Sequence, residues 1–264
     1  MQKENKYKII FVDIDWTILD HKIHDWDYES IDALKLAQSN GVLVYLCTAR
    51  PFDSVRSTGL LEIFNPNGII CTNGEVGFVD GKVVYADNIP SELVKEVNRI
   101  SDQYELVMEV CTEEGRYFTK EPNEWVFDYL TRFVETIPEV KNHLYEHISA
   151  LLLFAPEYLD EELKPMFDKS FNYFRFDKCG VDLRYHPCSK GEGIAKILNY
   201  LNIKKEEAIA IGDDYGDIAM FEEVGLSIAV GNGRDEVKEK ATYITNTIHE
   251  HGVKLALEDL KIIK

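Results

Sequence analysis

Asp13 and Asp15 stand directly after a short apolar run, Ile9–Val12, in the stretch Asp13-Ile14-Asp15-Trp16-Thr17. A strand's period of two points both carboxylates the same way. Two carboxylates in one small site repel each other unless a cation is present or one is protonated. Taken alone, the pair reads equally well as a solvated strand end. A second apolar run, Ala208–Ile211, leads into Gly212-Asp213-Asp214 and then Asp217, so acids from two strand ends can converge. Oxygen ligands without His or Cys favour a hard cation, magnesium first.

Lys190 supplies the opposite charge. Ser189 and Glu192 fit the S-x-x-E box of a helix start, which puts Lys190 in a first turn where a cation opposes the helix dipole. That cost predicts an anionic partner nearby; without the other motifs, a solvated lysine is the simpler reading. Thr48 ends another apolar run and is followed by Ala49-Arg50-Pro51, offering a hydroxyl and a guanidinium beside the acids. Thr48 can equally serve as a helix N-cap.

The elements that must carry these groups follow from hydrophobic runs. Ile9–Val12, Val42–Cys47, Gly68–Cys71, Ala208–Ile211 and Ser227–Val230 are continuous apolar stretches, the signature of strands buried on both faces of a parallel sheet. Helical spacing lies between them, as in Ser30–Ser39 and Gly191–Leu201. This alternation predicts an α/β fold with a doubly wound, Rossmann-like parallel sheet. The runs end in Asp13, Thr48, Asn73-Gly74, Gly212-Asp213 and Gly231-Asn232. Polar residues therefore gather at the carboxyl ends of the strands, where open α/β sheets bind ligands.

Residues from about Val83 to His186 break this rhythm. A helix is expected after Pro90 with Ser91 as N-cap, then strands at Glu105–Val110 and Arg116–Thr119, and a helix over Glu124–Glu135. A strand at Ser149–Phe154, a helix near Tyr158–Phe167 and a hairpin over Tyr173–Tyr185 complete the segment. It reads as an inserted α+β domain with turn-prone borders at Asp80-Gly81 and His186-Pro187. The expected division is 1–82 and 187–264 for the core and 83–186 for the insertion.

Composition limits the partners. Across 264 residues, 29 Lys and Arg face 47 Asp and Glu, a net charge of −18, which repels nucleic-acid phosphates and anionic membranes. A small phosphate ester is compatible, because a metal ion and a few cations reverse the potential inside one pocket. The five cysteines form no C-x-x-C pair, fitting a reducing cytoplasm better than a disulfide framework. No signal-peptide apolar region precedes Asp13, and the longest apolar run, Ala150–Ala155, is far below the roughly 20 residues that span a bilayer. A cytoplasmic protein is expected; its oligomeric state is not encoded in any motif.

Taken in order, Asp13-x-Asp15-x-Thr17, Thr48, Lys190 in Ser-Lys-Gly, and Gly212-Asp213-x-x-x-Asp217 resemble the four signature motifs of the haloacid dehalogenase superfamily. The insertion between the second and third motifs is similar to the cap of the Cof-type phosphatases, and Asn73-Gly74 and Gly231-Asn232 match further positions of that subfamily. The resemblance implies a magnesium-dependent phosphatase acting on a small phosphomonoester, a sugar phosphate or similar metabolite. It implies Asp13 as nucleophile, through an aspartyl phosphate, and Asp15 as general acid and base. By the same resemblance magnesium is held by Asp13, the Asp15 backbone carbonyl, Asp213 and Asp217. Thr48 and Lys190 act in catalysis, and Thr48, Arg50, Asn73, Gly74, Lys190 and Trp16 bind substrate.

Two positions depart from the pattern. Trp16 stands where the family usually has Gly, and Gly216 where the subfamily usually has Asn before Asp217. A bulky residue takes a positive φ only at a cost, if that turn requires one. A phosphomutase and a catalytically impaired ligand-binding regulator are the alternative readings of the same motifs.

Overall fold

The computed structural model describes residues 6–112, 115–132, 137–141, 147–185 and 188–264. The chain divides into two compact units: 1–49, 62–84 and 189–264 in one, and 50–61 and 85–188 in the other. The expected border at His186-Pro187 lies outside the described residues, as does the end of the expected Glu124–Glu135 helix, which is described as Glu124–Arg132.

The first unit is built on an eight-stranded sheet. Its order is Tyr243–Ile244, Leu226–Ala229, Ala208–Gly212, Ile9–Val12, Leu43–Cys47, Gly68–Cys71, Val76–Val79 and Lys82–Ala86. The first six strands run parallel, and Val76–Val79 returns antiparallel to Gly68–Cys71. Ile9–Val12 is buried along its whole length, as expected for a central strand covered on both faces. The chain leaves this strand toward Leu43–Cys47 and Gly68–Cys71, then resumes on its other side at Ala208–Gly212. Strand order therefore reverses between Ile9–Val12 and Ala208–Gly212, the point where an open α/β sheet forms a crevice at its carboxyl edge.

Local sequence explains the helices that flank this edge. Ser189 caps Lys190–Leu201 by accepting the Glu192 N–H at 3.1 Å. The helix ends at Asn202, which takes the left-handed conformation that Asn tolerates. Asp214 caps the Tyr215–Glu222 helix, with Asp217 three positions on completing a reciprocal box.

The second unit has its own core around a six-stranded sheet, in the order Glu139–Val140, Arg116–Phe118, Val107–Thr112, Ile148–Phe154, Gly180–Tyr185 and Phe171–Asp177. Period-two alternation sorts its side chains. Met108, Val110, Leu151 and Leu153 join Val94, Val97 and Ile100 of the Ser91–Gln103 helix and Leu163 and Phe167 of Asp160–Phe167. Val107, Phe118 and Phe154 pack with Val126 and Leu130 of Glu124–Arg132. Its strands and helices have the α+β pattern expected for the inserted segment, and the unit also takes in residues 50–61. One local expectation is corrected: Pro90, not Ser91, is the N-cap of the first helix, and Ser91 is its first helical residue. Proline supplies an extended ψ of 133° there, and its carbonyl accepts from the Leu93 and Val94 N–H groups. Among the described residues, no helix is long and apolar enough to cross a membrane, and all five cysteines are buried thiols.

Candidate active site

Asp13 begins the loop after the central strand, with its N–H still donating to the Ile211 carbonyl at 2.9 Å. That bond fixes it beside the end of the neighbouring strand, where Gly212-Asp213 follows. Lys190 Nζ donates to Asp13 Oδ1 and to Asp217 Oδ1, each at 2.6 Å, and all three side chains are almost completely buried. The first-turn lysine thus has two anionic partners. Burial alone pulls the Lys190 ammonium down, but the charges of Asp13 and Asp217 outweigh it and hold it well above the usual lysine range.

Asp217 is fully buried and uses both of its oxygens. Oδ1 accepts from Lys190, and Oδ2 accepts the Asp213 and Asp214 N–H groups at 2.8 and 3.0 Å. It therefore ties the Asp213 loop to the lysine. Gly212 makes this possible, since a Cβ there would lie 2.4 Å from Asp217 Oδ2. Thr17 Oγ1 donates to Asp213 Oδ1 at 3.1 Å, linking the two acidic loops.

Ligand atoms of Asp13, Asp213 and Asp217 all lie within 4.8 Å of one another. Burial, then repulsion from Asp217 and Asp15, overcomes Lys190 and pushes the Asp13 carboxyl up to about 8. Burial and the charges of Asp13 and Asp217 push Asp213 up to about 9. One ammonium is not enough to keep three buried carboxyls ionised, and this buried, oxygen-only donor set fits a hard divalent cation. Of the residues expected to hold metal, Asp15 is the one outside this cluster; only its backbone carbonyl was assigned that role.

Asp15 is half-buried, and its Oδ1 lies 2.6 Å from His21 Nε2. Trp16 has φ 61°, so the turn after Asp15 does demand the conformation that glycine takes without strain. Three contacts hold it: Trp16 N–H to the Leu19 carbonyl at 2.8 Å, Asn232 Nδ2 to the Trp16 carbonyl at 2.8 Å, and the indole against His21 at 5.2 Å between ring centroids. Asn232 is itself fixed, its Oδ1 accepting the Ile248 N–H at 2.8 Å.

Thr48 is buried at the end of Leu43–Cys47, and its carbonyl accepts the Asn73 N–H at 3.1 Å. Thr72, Asn73 and Gly74 all have positive φ, of 49°, 55° and 102°. This compact turn lies against the start of the lysine helix, where a Cβ on Gly74 would fall 1.9 Å from the Ser189 carbonyl oxygen. Arg50 belongs to the second unit, where its Nη1 donates to Ser54 Oγ at 3.1 Å. Thr48, Asn73, Gly74, Lys190, Trp16, Asp13, Asp15, Asp213 and Asp217 all belong to the first unit.

Three cations of the insertion have acidic partners within it. Arg116 is buried against Glu109 at 3.2 Å, Arg132 pairs with Asp177 at 3.2 Å, and Lys120 with Asp102 at 3.0 Å. Sequence reasoning missed His21. It lies six positions past Asp15, beyond the strand, where no periodicity relates the two. The short hairpin of Leu19–Asp20 with Asp25–Trp26 redirects the chain there.

Comparison with known proteins identifies the family and the fold. The family model for haloacid dehalogenase-like hydrolases matches residues 10–257. A 5-amino-6-(5-phospho-D-ribitylamino)uracil phosphatase, YitU of Bacillus subtilis (strain 168), is 28% identical, with 97% of this chain and 98% of the relative covered. Phosphoglycolate phosphatase 1 of Saccharolobus solfataricus is 27% identical over 96% of this chain and 95% of its own. The solved structure of the subclass IIB sugar phosphatase BT4131 superimposes with a TM-score of 0.83 at 27% identity, covering 97% of this chain and 100% of that one.

Proposed function

Because the chain belongs to the haloacid dehalogenase-like hydrolases, we propose that it is a magnesium-dependent phosphatase. It hydrolyses a small phosphomonoester, a sugar phosphate or similar metabolite, through an aspartyl phosphate on Asp13. The observation that carries this reading is Asp13 itself: a buried carboxylate at the switch point of the sheet, 2.6 Å from a lysine that a second carboxylate holds in place.

In the first step Asp13 attacks phosphorus, the bond to the leaving oxygen breaks, and Asp15 gives that oxygen its proton. In the second, water attacks the phosphorus, Asp15 takes the proton, and the bonding pair returns to the Asp13 oxygen. Covalent catalysis of this kind divides one difficult displacement into two. Lys190 and the Thr48 hydroxyl bind the phosphoryl oxygens, and the Asn73-Gly74 turn presents backbone to the same group. Magnesium, held by Asp13, Asp213 and the Asp15 carbonyl with support from Asp217, would neutralise phosphoryl charge. Arg50 and Trp16 contact the substrate beyond its phosphate, and residues 83–186 form the cap that selects the leaving group.

Relatives named for phosphoglycolate, a phosphoribitylamino-uracil and a sugar phosphate support a small ester and leave its identity to a screen. Five buried thiols suit a reducing cytoplasm. A suitable panel is glucose 6-phosphate, ribose 5-phosphate, glycerol 3-phosphate, phosphoglycolate and 4-nitrophenyl phosphate, with and without magnesium. Phosphate release that needs the metal and disappears in Asp13→Asn is expected. Turnover surviving in chelator or in Asp13→Asn would refute the mechanism, and a phosphoryl group returned to substrate instead of water would make the protein a mutase.

A further inference from the structure

We infer that His21 is a positioning residue that sets the orientation of the Asp15 carboxyl for proton transfer. The inference rests on the phosphatase reading above and adds a residue that the four motifs do not contain. His21 Nε2 lies 2.6 Å from Asp15 Oδ1, and its side chain is 6% exposed against 31% for that of Asp15. The carboxyl is thus the wetter partner, open to a substrate, while the imidazole is held in the protein.

Asp15 follows the strand, so the sheet fixes its backbone but not its side-chain torsions. An aspartate in a loop has several staggered rotamers, and proton transfer needs one of them within hydrogen-bond reach of the leaving oxygen. With Nε2–H donating to Oδ1, the reactive proton sits on Oδ2. Oδ2–H then gives its proton to the leaving oxygen as the phosphorus–oxygen bond breaks and its electron pair moves to that oxygen. Water later returns a proton to Oδ2 as it attacks the aspartyl phosphate. His21 neither gains nor loses a proton in either step.

The imidazole also packs against the Trp16 indole, 5.2 Å away between centroids and tilted by 56°. Trp16 in turn is pinned through its N–H to Leu19 and its carbonyl to Asn232. The bulky residue at the glycine position therefore has a counterpart: its ring and the His21 ring pack as one unit beside the acid.

Three variants test this in single-turnover phosphorylation: His21→Gln, which keeps an N–H donor near the Nε2 position, and His21→Asn and His21→Leu, which do not. Each is compared on 4-nitrophenyl phosphate, whose leaving group departs without a proton, and on the sugar phosphate of the panel that the wild type cleaves fastest. His21→Leu and His21→Asn should slow the sugar ester by at least about tenfold, a fraction of the gain general acid catalysis provides. They should leave the nitrophenyl ester within about threefold, and His21→Gln should recover most of the loss. An equal loss on both esters, or none on the sugar ester, or no difference between Gln and Asn, overturns the assignment. The Gln and Asn pair keeps the test valid if the Leu variant does not fold. A wild type inactive on every ester would overturn the phosphatase reading instead.

Discussion

Lys190 occupies a helix first turn, where its charge opposes the dipole, and that cost is set against two buried carboxylates at 2.6 Å. Removing the ammonium would relieve the dipole by a few tenths of a kcal/mol but leave Asp13 and Asp217 buried without a cation. The second effect is larger, because breaking a buried pair costs about 3–5 kcal/mol. Lys190→Ala should therefore destabilise the metal-free protein by about 3 kcal/mol and reduce turnover by more than about tenfold, measured by denaturant unfolding and steady-state kinetics. Unchanged stability would mean that the lysine is a solvated charge. The neighbouring acids give a pH signature. Asp13 and Asp213, raised by burial to about 8 and 9, bind more protons folded than unfolded. Metal-free stability should then fall as pH rises from about 4 through that window. A divalent cation competes with those protons, so the melting-temperature gain from magnesium should be larger at about pH 8.5 than at about pH 5. A gain that does not grow with pH would argue against these carboxylates as the metal site.

The loops that carry the site are shaped by two backbone demands. At Trp16 the turn needs a positive φ of 61°, which costs an L-residue roughly 1–2 kcal/mol. Trp16→Gly removes this strain along with the indole, whereas Trp16→Ala removes the indole alone. The Gly variant should be the more stable of the two by about 1 kcal/mol, a difference that thermal unfolding resolves. If the indole contacts the leaving group, both variants should alter substrate discrimination while sparing hydrolysis of a preformed aspartyl phosphate. At Gly74 the demand is steric as well, with φ 102° and the Ser189 carbonyl oxygen 1.9 Å from any added Cβ. Gly74→Ala should destabilise by at least about 2 kcal/mol, because the Thr72–Gly74 turn and the start of the Lys190–Leu201 helix cannot both keep their places. An alanine tolerated there without loss would show that the turn is not packed against the helix.

At the scale of the whole chain, each compact unit has a core of its own, and the net charge is −18. A dianionic phosphate ester must approach against that field, although the site it reaches contains a lysine. Long-range repulsion is screened beyond about 8 Å at physiological ionic strength, whereas the buried 2.6 Å contacts are not. Raising salt from low to physiological levels should therefore increase kcat/KM for the ester and leave kcat nearly unchanged. A fall in kcat/KM would mean that local cations, not the global field, govern encounter.

Continuous apolar runs were enough to place the central strands to within a residue or so, because a strand buried on both faces tolerates almost nothing else. Each run ends where polar residues begin, so the sequence alone puts Asp13, Thr48, Asn73 and Asp213 at one sheet edge. The S-x-x-E spacing likewise located Lys190 in its first turn, since capping is a local interaction over three residues. Contacts between distant segments were decided only by tertiary structure. That Lys190 bridges Asp13 and Asp217, that Thr17 reaches Asp213, and that Asn232 holds the Trp16 carbonyl all depend on how segments far apart in sequence become neighbours. The pairing of His21 with Asp15 depends on a turn with a non-glycine residue at positive φ. No periodicity signals such a turn, because its conformation is imposed by packing around it and not by the residue that adopts it.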